Sequence, residues 1–307
     1  MRARIARKTR FHLRRMTPVV LVTPRWSQAQ RFLDEVSVDL LVGEPIVRAR
    51  TLSLHPLAGR TPHQAWSWLV LAMTEFCQLP LEGPAWQVVS RRGFRHVMRE
   101  LFVRADEGER RCLMIHGAEH IQVEALRDLI EVFDDHVRNR TGPARFNLVL
   151  AGMIDAPHFG FPAFERLVLP DFGPEEAVEL LVELIGAADR ARLRSAVSVI
   201  GGIPAMLDLL GTEAASRLGD LAADRRAVWR VLGAIATEVR RSYDIVAADE
   251  GLLARMELIA REGPQPVDPE RDEPLLRAGL VLGQGHAEGS RKTAIRAPFL
   301  EDLATAG

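Results

Sequence analysis

Two histidines and a glutamate, His116, Glu119 and His120, directly follow a short apolar run. Their spacing matches H-x-x-E-H, the inverted zinc motif in which two histidines hold the metal and the glutamate acts in catalysis. That chemistry requires all three side chains on one helix and a further protein ligand from downstream. The run before His116 is typical of a strand, Gly117 weakens a helix, and no downstream acid stands out. A zinc peptidase is therefore kept only as an alternative.

A second candidate site is the turn after the β-branched run 19–22. Between a buried strand and the next helix, backbone N–H groups and the helix dipole favour an anion such as phosphate. A phosphate-binding loop reads G-x-x-x-x-G-K-[ST], with glycines to wrap the phosphates, a lysine to neutralise them and a hydroxyl to hold magnesium. Here Thr23 and Gln28 stand at the glycine positions, Ala29 at the lysine and Gln30 at the hydroxyl. The loop is therefore predicted to have lost tight triphosphate binding.

Some features of this turn still allow phosphate contact. Arg25 has the charge for it, whereas Pro24 lacks an N–H donor and Trp26 fills space. We expect no cofactor here and leave ATP or ADP as the open alternative. The degenerate nucleotide site would comprise Arg25, Ser27, Gln28, Ala29 and Gln30, with Gly202 and Pro204 from a later turn.

The acid that would hold magnesium is also missing. P-loop enzymes place it at the end of a buried strand, but the run 112–115 ends in His116. A neutral imidazole is a poor magnesium ligand because the ion prefers oxygen. Glu119 could still orient water, yet without a lysine and a metal it has little to act on. We therefore predict no metal and no intact catalytic centre.

The surrounding elements are those that would position such a site. Short apolar or β-branched runs near 19–22, 46–54, 112–115, 147–151 and 167–169 alternate with amphipathic stretches of helical period. This alternation predicts an α/β domain with a five-stranded parallel sheet covered on both faces. After Pro170 the chain is predicted to be helical to about Tyr243, with breaks at 201–204 and at Gly211. A helix, a Gly/Pro loop, a short helix and a two-stranded hairpin then suggest a winged helix.

In order, these strings resemble AAA+/STAND P-loop ATPases, in particular the MNS-like and Orc/Cdc6-like members, over about residues 17–307. The stretch 113–120 resembles the Walker B strand with its acid replaced, 147–152 resembles the sensor 1 strand, and Gly202-Ile203-Pro204 resembles the GxP turn of the lid. The resemblance implies a P-loop NTPase-like domain at 17–170, a helical lid at 171–243 and a winged helix at 244–307, after a basic arm at 1–16. With both Walker motifs degenerate, the chain is expected to be a pseudo-ATPase.

The resemblance also implies a role for Arg166, which lies where such proteins place an arginine ahead of the fifth strand. An arginine there can reach a neighbouring subunit's γ-phosphate and stabilise the transition state in trans. We therefore expect a protein partner, either an active ATPase subunit or an effector of a larger assembly. A surface ion pair with Glu165 or Asp171 is the alternative.

DNA is an alternative partner that the sequence leaves open, because two parts of it are basic. The predicted wing contributes four basic residues, and an adaptor that reads DNA through it is the alternative function. The first sixteen residues contain no acid and form either a solvated tail or an arm that contacts phosphates or a partner. The wing cations are Arg277, Arg291, Lys292 and Arg296, and the arm cations are Arg2, Arg4, Arg7, Lys8, Arg10, Arg14 and Arg15.

The composition excludes few classes of protein or partner. The chain has 307 residues, with 40 Lys and Arg against 41 Asp and Glu. No apolar run reaches the roughly 18 residues that span a bilayer, so no membrane partner is expected. Cys77 and Cys112 both lie in apolar stretches, which is typical of buried thiols in a cytoplasmic protein.

Overall fold

The computed structural model describes residues 2–42, 46, 48–79, 90–153, 163–186, 189–212, 227–285 and 291–305. Its contacts divide the chain into two compact units. The N-terminal unit comprises residues 3–23 and 29–169. The C-terminal unit comprises residues 170–307 together with Met1–Arg2 and the segment Pro24–Gln28. We call Pro24–Gln28 the Trp26 loop.

The N-terminal unit is built on a five-stranded parallel sheet with the order β2-β3-β4-β1-β5. The predicted parallel α/β fold is thus confirmed. The order places the central strand β4 beside both β3 and β1, so the carboxyl ends of these strands lie at one edge of the sheet. The strands are β1 (Val19–Val22), β2 (Arg48–Ser53), β3 (Arg111–His116), β4 (Phe146–Gly152) and β5 (Glu165–Val168).

The three inner strands β1, β3 and β4 are buried on both faces of the sheet. Successive strand side chains point in opposite directions, so each strand contributes to both faces. In β4, Leu148 and Leu150 join one hydrophobic cluster, while Val149 and Ala151 join another. The first cluster includes side chains from α3, α4 and α5, and the second includes side chains from α1 and α2. These helices are α1 (Arg2–Arg14), α2 (Ala29–Val42), α3 (Pro62–Cys77), α4 (Arg91–Glu107) and α5 (Val123–Asn139).

The basic N-terminal segment forms helix α1 rather than a disordered tail. Leu13 is fully buried in the second cluster, and Ile5 and Ala6 pack against that cluster. Arg10 forms an ion pair with Asp39 of α2. The alternative of a solvated tail does not anticipate this docking, because the apolar residues of α1 are few among many arginines.

The described helices of the C-terminal unit pack into a common hydrophobic cluster. Helix α8 is described as far as Thr212, one residue beyond Gly211, so the predicted break at that glycine stays a prediction. The helices are α6 (Pro174–Ile185), α7 (Arg190–Ile200), α8 (Pro204–Thr212), α9 (Val228–Val231), α10 (Gly233–Ala247), α11 (Glu250–Glu262), α12 (Pro269–Ala278) and α13 (Pro298–Thr305).

A three-stranded antiparallel sheet with the order β6-β8-β7 completes this unit. Its strands are β6 (Gln265–Pro266), β7 (Val281–Gly285) and β8 (Arg291–Ile295). The succession of helix, strand, helix and hairpin is the one that the winged-helix prediction requires. That residues 244–307 form a winged-helix domain, separate from a helical lid at residues 171–243, stays a prediction.

No described helix has both the length and the apolar character needed to cross a membrane. The two cysteines are buried and free, as predicted.

Candidate functional site

The Trp26 loop is held by its own carbonyl groups. Four consecutive carbonyl oxygens accept hydrogen bonds within the C-terminal unit. Pro24 O accepts from Ser27 N at 3.2 Å, and Trp26 O accepts from Ala205 N at 3.1 Å. The other two accept from guanidinium groups: Arg25 O from Arg296 Nη1, and Ser27 O from Arg2 Nη2 at 2.9 Å.

Arg296 is the centre of this arrangement. Its side chain is 0% exposed and forms a two-point ion pair with Asp171, whose side chain is 9% exposed. Nε donates to Oδ2 at 2.8 Å, and Nη2 donates to Oδ1 at 2.7 Å. The remaining Nη1 donates to Arg25 O. Burial of a charge is costly unless it is paired and hydrogen-bonded, so Asp171 and the loop carbonyl together make a buried guanidinium acceptable here.

The side chains of the loop are also engaged. Arg25 Nη1 donates to Ser242 Oγ at 2.8 Å, and the Trp26 indole Nε1 donates to Glu238 at 3.2 Å. The Trp26 ring packs so closely on Gly279 that a Cβ there would lie 2.8 Å from it. Trp26 and Gln28 adopt positive φ angles of 61° and 53°. Non-glycine residues rarely adopt this conformation, and it persists only where the surroundings fix it.

The turn between α7 and α8 precedes the amide that binds the Trp26 loop. Gly202 approaches Phe172 so closely that a Cβ would lie 1.9 Å from the Phe172 carbonyl oxygen. Its own carbonyl accepts from Phe172 N at 2.9 Å. Pro204 is then the first residue of α8, where its missing N–H costs nothing. Ala205 N follows, one of the first-turn amides that lack a partner within the helix, and it donates to Trp26 O.

The Trp26 loop does not present the groups of a phosphate-binding loop. A phosphate-binding loop directs N–H groups at the anion, whereas here the carbonyls are held by cations and by the start of α8. Ala29 and Gln30 begin α2 and carry neither an ammonium group nor a hydroxyl. Of the predicted nucleotide-site residues, Arg25 contacts Ser242 and Arg296, and the carbonyl of Ser27 contacts Arg2.

The residues at the other candidate centre lie at the carboxyl edge of the parallel sheet. His116 ends β3, Gly117 has a φ of 75°, and a single 3₁₀ turn at Ala118–His120 follows. The HxxEH side chains therefore do not share a helix, and the zinc-peptidase alternative is wrong in its central requirement. Among the described residues, no group of three or more His, Cys, Asp or Glu side chains is arranged to hold a metal.

Glu119 and His120 make other contacts. Glu119 Oε2 accepts from Met153 N, just beyond β4, at 3.2 Å. His120 Nε2 lies 3.4 Å from Nδ1 of His55, a residue directly beyond β2 that sequence reasoning missed. The only sequence signal for His55 was its place after a strand. Glu119 Oε1 lies 3.8 Å from His120 Nε2.

His116 is half-buried, and its Nε2 has no hydrogen-bond partner among the residues that the structure describes. Burial lowers its pKa below the ordinary histidine value, and the nearby imidazoles of His120 and His55 act in the same direction. The charges of Asp34 and Glu119 oppose this shift. The position predicted to have lost a metal-binding acid thus holds a side chain that favours the neutral form.

Two predicted cations are placed differently from expectation. Arg166 is exposed and lies within the edge strand β5, opposite Val20, and not ahead of the strand. Arg296 is buried against Asp171 and cannot be the DNA contact predicted for the wing. Of the other wing cations, Arg277 pairs with Glu273, and Lys292 is exposed. The Arg291 side chain lies outside what the structure describes.

We predict that Asp171→Asn lowers the free energy of unfolding by about 3 kcal/mol or more, because it leaves the Arg296 charge buried without its counterion. Asp244→Asn, at an exposed position of α10, is the matched control and should change it by no more than about 0.5 kcal/mol. Urea denaturation measures both. Equal effects of the two substitutions would contradict the assignment.

We predict that the His116 ring titrates below the ordinary value of 6.5 and that Glu119→Gln lowers its pKa further, because an opposing negative charge is lost. The unfolded chain then binds a proton more readily, so His116 reduces stability as pH falls through about 6.5. Ring NMR shifts measure the titration. An upward shift in Glu119→Gln would refute the cause.

No family model matches this chain, and no curated protein matches it. Solved structures do match. A Walker-type ATPase of Pyrococcus abyssi superposes with a TM-score of 0.65 at 14% identity, covering 99% of this chain and 95% of that one. Cdc6p of Pyrobaculum aerophilum gives a TM-score of 0.53 at 11% identity, covering 99% of this chain and 92% of that one. At such low identity these matches establish the fold alone. This chain has the fold of the AAA+ P-loop ATPases.

Proposed function

We propose that this protein is an AAA+-fold pseudo-ATPase, which works as a binding or regulatory subunit and does not hydrolyse nucleotide. One observation carries the proposal: the loop between β1 and α2 is bonded through four carbonyl groups to Arg296, Arg2, Ala205 and its own Ser27. In an active P-loop enzyme this segment holds the phosphates.

The cost of opening the loop supports this view. A hydrogen bond with a charged partner contributes about 1.5–3 kcal/mol and a neutral one about 0.5–1.5 kcal/mol. Releasing the two guanidinium contacts and the Ala205 contact would thus cost about 4–7 kcal/mol, which lowers an affinity about 10³- to 10⁵-fold. Residues 29 and 30 offer no lysine or hydroxyl to compensate.

The carboxyl edge of the sheet supports it independently. His116 stands where magnesium would need an oxygen ligand, and its lowered pKa favours a neutral imidazole. Glu119 accepts a backbone hydrogen bond from Met153. Neither side chain is suited to activating water beside a metal and a triphosphate.

A protein partner is the other half of the proposal. Arg166 is exposed on the edge strand β5, a position from which an arginine can contact a second chain. An active ATPase subunit whose γ-phosphate it reaches is the partner that fits its charge. Reading of DNA through the wing is less favoured, since Arg296 is buried.

Calorimetric titration with ATP and magnesium, together with a phosphate-release assay, tests the nucleotide half. We predict no binding heat at millimolar ATP and no turnover, for the wild type and for Ala29→Lys alike, because one lysine restores neither the glycines nor the acid. Glu119→Gln is the control for a contaminating ATPase.

Binding at micromolar ATP with magnesium-dependent turnover that Glu119→Gln abolishes would overturn the proposal. Turnover that Glu119→Gln leaves unchanged, with no ATP binding in the titration, would come from a contaminant. The same turnover with ATP binding would overturn the proposal, because the titration measures binding by this protein itself.

A further inference from the structure

We propose that the outer face of α1 binds single-stranded nucleic acid. This inference is separate from the pseudo-ATPase proposal because it uses no residue of the Trp26 loop or of the sheet edge. Six exposed side chains recur at helical spacing on this face and in the turn that follows it: Arg4, Arg7, Lys8, Phe11, Arg14 and Arg15. We call them the α1 stripe.

The stripe has a fixed orientation. On the opposite side of α1, Thr9 and Leu13 are fully buried, and Ile5 and Ala6 pack against the core of the N-terminal unit. The Arg10–Asp39 ion pair holds the flank of the helix. A docked helix loses less conformational entropy on binding than a disordered arm, so its cations are arranged before the partner arrives.

The charge of the stripe is available to a partner. None of its five cations forms an ion pair with any residue that the structure describes, and the sequence has no acid before Asp34. From Arg4 to Arg15 the stripe extends about 16 Å at the helical rise of about 1.5 Å per residue. A line of five positive charges on one rigid face is complementary to a polyanion with regularly spaced phosphates.

Phe11 indicates which polyanion fits. Its side chain is 53% exposed in the middle of the stripe, and the Arg15 guanidinium lies 4.7 Å from its ring centroid. An exposed aromatic ring among cations is the arrangement on which unpaired bases stack. A duplex keeps its bases paired and offers no such face, so single strands should bind more tightly.

An anionic membrane fits less well. A helix that lies in a membrane interface buries its apolar face among the lipids. In α1 that face is already covered by the N-terminal unit. Only electrostatic attraction between the cations and the anionic lipid headgroups would remain.

The test is fluorescence anisotropy of the full chain with labelled oligothymidine of about 20 nucleotides, long enough for one site. At about 50 mM salt we expect Arg7→Glu/Lys8→Glu to weaken binding at least tenfold. The double substitution should also flatten the plot of log affinity against log salt concentration, because each lost phosphate contact reduces its slope by about 0.7. Arg104→Glu/Arg127→Glu makes the same change in net charge at exposed positions of α4 and α5 and should have a much smaller effect.

Phe11→Ala should weaken binding by about 5- to 150-fold, the range of one base–aromatic stack, without changing the slope of log affinity against log salt. Arg7→Gln/Lys8→Gln repeats the test with a milder change, and circular dichroism verifies folding of every variant. A duplex of equal length and phosphatidylserine vesicles are the comparison ligands.

Three outcomes would overturn the proposal: no binding of oligothymidine at low salt, equal weakening by the stripe and control variants, or tighter binding of duplex or vesicles than of single strands. Stripe-dependent binding that prefers single strands and needs Phe11 would support it.

Discussion

The buried Arg296 guanidinium is the interaction on which the C-terminal unit's hold on the Trp26 loop depends. It is shared between Asp171 and the carbonyl of Arg25, and its side chain is fully buried. A buried charge tolerates little rearrangement because each lost partner leaves an uncompensated group in a low dielectric. Arg296 therefore constrains both Asp171, which precedes α6, and the loop backbone.

The loop and the sheet edge differ from an active site in complementary ways. A working phosphate-binding loop offers N–H groups to an anion and relies on glycine to do so. Here the backbone carbonyls accept hydrogen bonds from guanidinium groups and from the first turn of α8, and Trp26 occupies space beside Gly279. At the end of β3 an imidazole replaces the oxygen ligand. The fold is that of P-loop ATPases, and the loss of nucleotide chemistry is what we propose from these differences.

Much of the fold could be predicted from the sequence because its signals are local. The apolar runs at β3 and β4 and the Pro174 and Gly202–Pro204 helix signals depend on neighbouring residues alone, and the helices and strands begin near the predicted residues. For the candidate site, the sequence predicts only which groups are missing: residue types alone reveal that the glycines, the lysine and the acid of the P-loop motifs are absent. What replaced them depends on contacts distant in sequence. Arg25 and Arg296 are 271 positions apart, and no pattern near Arg296 distinguishes a buried anchor from a wing cation.

Contacts between residues distant in sequence also decide two features that residue types alone do not show. Helix α1 has few apolar residues, so its composition is typical of a solvated tail, yet Leu13 and Thr9 are fully buried. Gly211 lies near the described end of α8, at a point where a Cβ would approach Leu184 to 2.5 Å. Close packing, and not backbone freedom, accounts for that glycine.

Hydrogen exchange at the Ala205 amide tests the central claim most directly. As a first-turn amide of α8 it has no partner within the helix, so its protection reports on the carbonyl of Trp26. The account predicts that this amide is protected without nucleotide and that adding ATP and magnesium leaves its exchange rate unchanged. An unprotected amide, or one whose exchange rate changes when ATP and magnesium are added, would contradict it.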